Sequence, residues 1–458
     1  MTTLEARGFD PAHSLLLTDL YQLNMVDSYL RGGLTGTAVF EFFVRRLPPG
    51  RNFLLAAGLD QALAFLEDAR LTDAEADWLR AGGRFPPALV DFLAGFRFTG
   101  DVDAMAEGTP FFPHEPILRV TAPLPQAQLV ETRLVNLLQF QTLVASKAVR
   151  MVLAAPGRRL VDFGLRRAHG GEAGLLAARA AYLAGFAGTA TVPAEPLFGV
   201  PVFGTMAHSF VLAHDSETAA FAAFARDHPD QTVFLIDTYD TERGAEAVVA
   251  LAPRLRAAGI GVRGVRLDSG DLADHAVKVR TILDTGGLLQ ARIFASGGID
   301  EHLLARLHAA AAPIDAYGVG TSLVTSEDAP ALDCAYKLQA YAGRPRRKRS
   351  EGKATWPGAK QVYRFHGGDG SCTHDLVTTA DDPPPPGGTP LLAPALRGGR
   401  RVPDLPDLAA SRTHAAAVGR LPESLRRLDP APPYGVDISP ALCLLAHEAD
   451  GAADRAGG

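Results

Sequence analysis

Beyond Arg158 the chain repeats one unit: a short apolar run, then polar or glycine residues, then an Ala- and Leu-rich stretch of helical character. The apolar runs lie at 160–163, 201–204, 232–236, 261–265, 292–295 and 314–317. The connections between them are too long for hairpins. Serial strand–helix units of this kind form a mainly parallel sheet with helices laid over it. A doubly wound sheet or a barrel would bury them. Polar residues follow nearly every run, as they do where all strand-to-helix loops collect on one catalytic face. The expected fold class is therefore α/β, an irregular, TIM-like parallel βα barrel with an N-terminal α/β domain and a C-terminal appendage.

The flanks read differently. Helical periodicity at 17–30 and 58–66, a β-branched and aromatic run at 38–44 and a turn-rich stretch at 100–120 outline an N-terminal domain, 1–130. Leucines at helical spacing between 131 and 155 open the barrel domain, 131–340. A basic run (Arg344, Arg346, Arg347, Lys348, Arg349) begins the C-terminal domain, 341–458, whose four consecutive prolines within 381–388 read as a linker or an extended surface stretch. A helical piece follows near 408–427, and the last ten residues are expected to be disordered.

Charge and cysteine usage narrow the partners. Acidic residues number 51 against 45 basic ones, and the net charge of −6 argues against a general nucleic-acid binder held by phosphate neutralisation. Cys334, Cys372 and Cys443 are odd in number and widely separated, which indicates neither a disulfide framework nor a zinc site and suits a reducing compartment. No stretch has the length and apolarity of a membrane span, and the first ten residues lack a signal-peptide core. A cytoplasmic protein without a membrane partner is expected.

Several run ends carry residues suited to chemistry. Ala295-Ser296-Gly297-Gly298-Ile299 and Gly318-Val319-Gly320-Thr321 each close a strand and open a helix, so their backbone N–H groups can approach an anion. Either alone would pass for an ordinary turn. Two in succession at the end of the repeat favour a phosphate site at Gly297, Gly298, Gly320 and Thr321. Arg266-Leu267-Asp268-Ser269-Gly270-Asp271 offers a guanidinium fork for an anionic group and two carboxylates, Asp268 and Asp271, for Mg²⁺ or sugar hydroxyls. A surface ion pair is the alternative. Gly204-Thr205-Met206-Ala207-His208 sets a histidine just past another strand, where a structural role is more usual than a catalytic one, so that alone it is a weak signal. Arg166 and Arg167 follow an earlier strand, and Thr18-Asp19-Leu20-Tyr21 reads by default as a helix cap followed by a core aromatic.

Taken together, the stretches LLTDLYQLNM, FEFFVRRLPPGRNFLLAAGL, DFGLRRAHG, GTMAHSF, FLIDTYDT, GVRLDSGDL, FASGGID, YGVGTSLVT and RKRSEGKATWPGAKQV resemble the nicotinate phosphoribosyltransferase family, in order and from about residue 15 to 360. The resemblance implies an ATP-dependent enzyme that joins nicotinate to phosphoribosyl pyrophosphate, giving nicotinate mononucleotide and pyrophosphate for NAD salvage. It makes His208 a phosphohistidine, Thr205 a nicotinate contact, Arg266 the partner of the nicotinate carboxylate and Thr321 a ligand of the 5′-phosphate. Tyr21 would stack on the pyridine ring, reaching the site of the neighbouring subunit of a homodimer.

The chemistry agrees. Breaking the ribose C1–O bond creates oxocarbenium character and a departing polyanion, which call for Mg²⁺, arginines and carboxylates. Asp268 and Asp271 suit the carboxylate role and Arg166 with Arg167 the polyanion. The pyridine nitrogen is already unprotonated, so little general base catalysis is needed.

The competing readings are a nicotinamide-using relative and a non-catalytic, phosphate-binding barrel protein. The nicotinamide enzymes carry an Asp where this chain has Ala190, and a carboxylate there would repel nicotinate. Quinolinate enzymes are much shorter. One last feature is compositional. Only six of the 45 basic residues are lysines, and Lys348, Lys353 and Lys360 cluster, which marks either a lid that brings Lys353 to a polyphosphate or a solvated surface loop.

Overall fold

The computed structural model describes residues 13–457, so the reading of the first ten residues as lacking a signal-peptide core lies outside the described residues. The chain forms two compact units, one from the residues up to Leu143 together with those from Ala331 onward, the other from Val144–Pro330. The three expected segments map onto them unevenly. Segments 1–130 and 341–458 both contribute to the first unit, and the second lies wholly within 131–340.

The second unit holds six parallel strands: β1 (Arg159–Asp162), β2 (Gly188–Thr189), β3 (Val233–Leu235), β4 (Gly264–Leu267), β5 (Arg292–Ser296) and β6 (Ala316–Val319). Their order is β2-β1-β6-β5-β4-β3. Phe234, Val265, Leu267, Ile293, Ala295 and Val319 are completely buried, as strands covered on both faces must be. Helices Thr241–Ala257, Leu272–Thr285 and Glu301–Ala309 begin on Asp240, Asp271 and Asp300, whose side chains accept from backbone N–H groups of the first turn. In helix Gly171–Leu183 the alanines 177, 178, 180 and 181 are buried, so small side chains allow close approach to its neighbours.

The barrel expected from the sequence is not closed. End strands β2 and β3 do not pair with each other. The run at 201–204, expected as a full strand, gives only a single bridge between Val202 and Thr189. Pro201 has no N–H to extend the ladder, and the chain turns away into helices His208–Leu212 and Glu217–Asp227.

The first unit is built on a seven-stranded sheet that interleaves the two ends of the chain. Thr37–Val44 lies between Pro116–Pro123 and Cys334–Tyr341, both antiparallel to it, and Asp101–Met105 pairs with Leu392–Arg397. A four-stranded sheet includes Lys360–His366 and Cys372–Thr379, and the proline tract is the surface connection from the latter to Thr389–Pro390. Of the last ten residues, expected to be disordered, 449–457 belong to helix Pro440–Gly457, which buries Leu442, Ala446 and Ala449, and residue 458 lies outside the described residues. The clustered lysines separate. Lys348 and Lys353 are exposed on the 348–355 loop, whereas Lys360 is buried, its Nζ 2.6 Å from Glu41 Oε2 and bonded to the carbonyls of Trp356 and Gly358.

Candidate active site

Because β1 to β6 are parallel, their C-terminal ends lie on one edge of the sheet, and the residues just past them face one another. Arg266, on β4, is the centre of this group. Its Nε donates to Ser296 Oγ at 3.0 Å, and its Nη1 to Thr205 Oγ1 at 2.8 Å and to the carbonyl of Met206 at 3.2 Å. Nη2 makes only a long contact, 3.4 Å, to Asp268 Oδ1. The guanidinium carbon stands 5.6 Å from the centroid of the Phe163 ring, which itself stacks on Phe294. A cation fixed on three sides beside a flat aromatic face, with one N–H edge weakly engaged, can take a planar aromatic acid.

Carboxylates line the next layer. Ser296 Oγ donates to Asp268. Asp237, just past β3, accepts from the Asp268 backbone N–H at 2.8 Å and from Ser269 Oγ at 2.6 Å, both through Oδ2. His208 opens its short helix with Nε2 3.8 Å from Asp268 Oδ2 and Nδ1 3.2 Å from Thr238 Oγ1, and it remains 40% exposed. Glu217 lies close enough to Asp240 and Asp237 that burial and these two charges together hold its carboxyl above the usual range.

Two oxygens here, Asp237 Oδ1 and Glu217 Oε1, are buried without a hydrogen-bond partner. Three carboxylates, Asp237, Asp268 and Glu217, stand here against the one guanidinium of Arg266, and carboxylate oxygen is the donor type that a hard divalent cation such as Mg²⁺ takes. Asp271 is differently employed: its Oδ1 caps helix Leu272–Thr285, accepting from Ala273 and Asp274 N–H.

The glycine turns stand at neighbouring strands. A side chain at Gly297 would place its Cβ 2.1 Å from the Asp268 carbonyl oxygen, and both Gly297 and Gly298 have positive φ, so the turn needs glycine at its first position for space and favours it at both for conformation. Gly320 and Thr321 occupy the corresponding place after β6. Arg166 and Arg167 lie exposed on the turn after β1. That turn is fastened by Asp162, which is 1% exposed and accepts from Gly164 N–H at 2.8 Å and Thr189 Oγ1 at 2.7 Å. Burial pushes the Asp162 carboxyl up to about 6.

The structure thus brings Thr205, His208, Arg266 and Asp268 into one hydrogen-bonded and ionic group. Gly297, Gly298, Gly320, Thr321, Arg166 and Arg167 lie on loops at the same strand ends. Tyr21 belongs to the other unit, on the first turn of helix Leu20–Arg31, 50% exposed instead of in a core. Sequence reasoning missed Asp237, Thr238 and Phe163 as site residues. The signal that found Asp268, a carboxylate directly after an apolar run, is present at Asp237 as well.

Comparison with known proteins agrees with this geometry. Residues 16–139 match the model of the nicotinate phosphoribosyltransferase N-terminal domain, and residues 158–344 match that of the nicotinate phosphoribosyltransferase family. The chain is 50% identical over 421 residues to nicotinate phosphoribosyltransferase pncB2 of Mycobacterium tuberculosis, covering 90% of this chain and 89% of the relative. It is 41% identical over 365 residues to the nicotinate phosphoribosyltransferase of Bacillus subtilis, covering 78% and 74%. The crystal structure of human nicotinic acid phosphoribosyltransferase superposes with a TM-score of 0.85 at 33% identity, covering 94% of this chain and 99% of that one. With its strand-end constellation and with matches of this extent, the chain belongs to the nicotinate phosphoribosyltransferase family.

Proposed function

We propose that the chain transfers the phosphoribosyl group of phosphoribosyl pyrophosphate to the ring nitrogen of nicotinate, forming nicotinate mononucleotide and pyrophosphate, and couples this to ATP hydrolysis through His208. The observation that carries the reading is the Arg266 guanidinium, held by Thr205, Met206 and Ser296 against the Phe163 ring. Arg266 binds the nicotinate carboxylate through its weakly engaged Nη2, and Phe163 gives the pyridine ring a face to lie on. Ala190, directly after β2, adds no carboxylate of its own at that position, which favours the acid over the amide.

Asp237 and Asp268, with Glu217 nearby, would hold Mg²⁺, which when bound neutralises the charge that builds on departing pyrophosphate. Arg166 and Arg167 take the polyanion, and the turns Gly297–Gly298 and Gly320–Thr321 the 5′-phosphate. His208 is open enough to accept a phosphoryl group from ATP, with Thr238 and Asp268 orienting the ring. Tyr21 is assigned to the pyridine site of a second copy in a homodimer. The exposed Leu165, Val192, Leu197, Leu212 and Tyr239, on turns, short helices and loops of the second unit, are side chains that a second copy would cover. The phosphorylated substrates suit a cytoplasmic enzyme.

Pyrophosphate release measured with nicotinate, nicotinamide and quinolinate side by side, with and without ATP, tests the reading. Turnover with nicotinate, stimulated by ATP, is expected. Equal turnover with nicotinamide, or none with any of the three, would refute it.

A further inference from the structure

The two glycine turns are tied to each other and to one lysine behind them. Strands β5 and β6 pair from Phe294–Ala316 to Ser296–Gly318, so the turns leave the sheet side by side. Ser322 Oγ, one residue past Thr321, donates to the carbonyl of Ile299, one residue past Gly298, at 2.5 Å in a buried contact. Further on, each segment ends in a carboxylate: Glu301 after the first turn, Asp328 after the second. Lys147 Nζ lies 2.7 Å from Glu301 Oε2 and 2.8 Å from Asp328 Oδ1, with the lysine side chain 4% and the glutamate 1% exposed. Arg150, one helical turn beyond Lys147 on Glu131–Ala154, places Nε 3.1 Å from Glu301 Oε1.

A buried ion cluster of this kind is weak evidence of stabilisation, because removing charges from water offsets most of their attraction. Its effect is geometric. A compact ammonium with three donors can bridge two carboxylates at fixed distance where a planar guanidinium would demand a wider site, and this chain keeps lysine here although it uses arginine at most basic positions.

We propose that Lys147 is a positioning residue that bridges Glu301 and Asp328 and thereby fixes the separation of the two glycine turns on which binding of the donor's phosphate depends. The proposal rests on the function given above. The charge-neutral pair Lys147→Met with Asp328→Asn breaks the bridge while leaving Arg150 on Glu301. Ser322→Ala breaks the direct tie between the turns.

Two readouts are needed: KM for each substrate, and the Kd of ribose 5-phosphate by calorimetry. The double variant should raise the phosphoribosyl pyrophosphate KM and the ribose 5-phosphate Kd on the order of 10- to 100-fold, with the nicotinate KM unchanged, and Ser322→Ala should move the same two quantities. If the double variant does not fold, Asp328→Asn alone, at a side chain 29% exposed, is read in the same way. A lowered melting temperature with wild-type KM and Kd would make the cluster purely structural and overturn the proposal. Wild-type protein that neither binds ribose 5-phosphate nor forms product would overturn the functional reading instead.

Discussion

Replacing Asp162 by Asn should make the protein more stable above neutral pH and slightly less stable in acid. Asp162 is almost wholly buried, with no ion-pair partner among the described residues, and its carboxyl is pushed from 3.8 to about 6. The unfolded chain therefore ionises this group first. Well below pH 3.8 both states hold the proton and burial carries no charge penalty. From pH 4 to 6 the native state binds more protons than the unfolded one, so stability falls as pH rises, and above pH 6 the full penalty stands at about 3 kcal/mol.

Asn is neutral throughout. Its oxygen can still accept from Gly164 N–H, but its amide must donate to Thr189 Oγ1, which now donates to the carboxylate and also accepts from Thr191 N–H. That rearrangement costs about 1 kcal/mol. The expected net effect is a gain of about 2 kcal/mol at pH 8 and a crossing of the two stability curves near pH 4.5. Urea titrations of both proteins from pH 4 to 8 measure the difference. A variant less stable than wild type at every pH would show that the carboxylate is held favourably as an anion and that the burial argument is wrong.

Other outcomes follow from the site and the core. Arg266→Ala should cost about 2 to 5 kcal/mol in nicotinate binding, because the substrate carboxylate is left without its partner; an unchanged nicotinate KM rules the contact out. His208→Ala should abolish ATP hydrolysis while a slow ATP-independent synthesis persists, and hydrolysis still in step with product would remove His208 from the coupling. Asp237→Asn should weaken Mn²⁺ binding, followed by the paramagnetic resonance of the free ion, and wild-type binding would move the cation elsewhere. Lys360→Met leaves the buried Glu41 without its ammonium partner, so about 3 to 5 kcal/mol of stability should be lost; a urea midpoint equal to wild type would show that water reaches Glu41.

The strand–helix rhythm of the second unit was legible because a parallel strand covered on both faces must be a short apolar run, and 160–163, 232–236 and 292–295 are such runs. Two-residue β2 carries no such signature: Gly188 and Thr189 are neither apolar nor periodic, and the neighbouring 201–204 offered a better pattern. The pairing of Thr37–Val44 with Cys334–Tyr341 was not legible either, since nothing local in one segment names a partner so far away in sequence. At the site, Arg266 and Asp268 announced themselves as charged residues at a strand end, whereas His208 alone gave only a weak signal. Asp271 did too, but a carboxylate followed by Leu-Ala-Asp at a helix start is also a capping pattern, and the structure uses it so. Phe163 was hidden because an aromatic at a strand end reads first as core.

The interleaving of both chain ends in one sheet has a bearing on biosynthesis. Val44 leaves the ribosome roughly 290 residues ahead of Cys334, and at typical elongation rates of about 5–20 residues per second that is a wait of roughly 15 to 60 s. During that interval the Thr37–Val44 strand, with Phe40, Phe42 and Phe43, has one edge without the strand that will pair with it, the kind of template on which nascent chains pair with one another. The middle of the chain has no such dependence, because every strand of Val144–Pro330 finds its neighbours within that span. Synthesis slowed after residue 44, or stopped before residue 334, should therefore yield aggregates nucleated by the early sheet strands around an already folded centre.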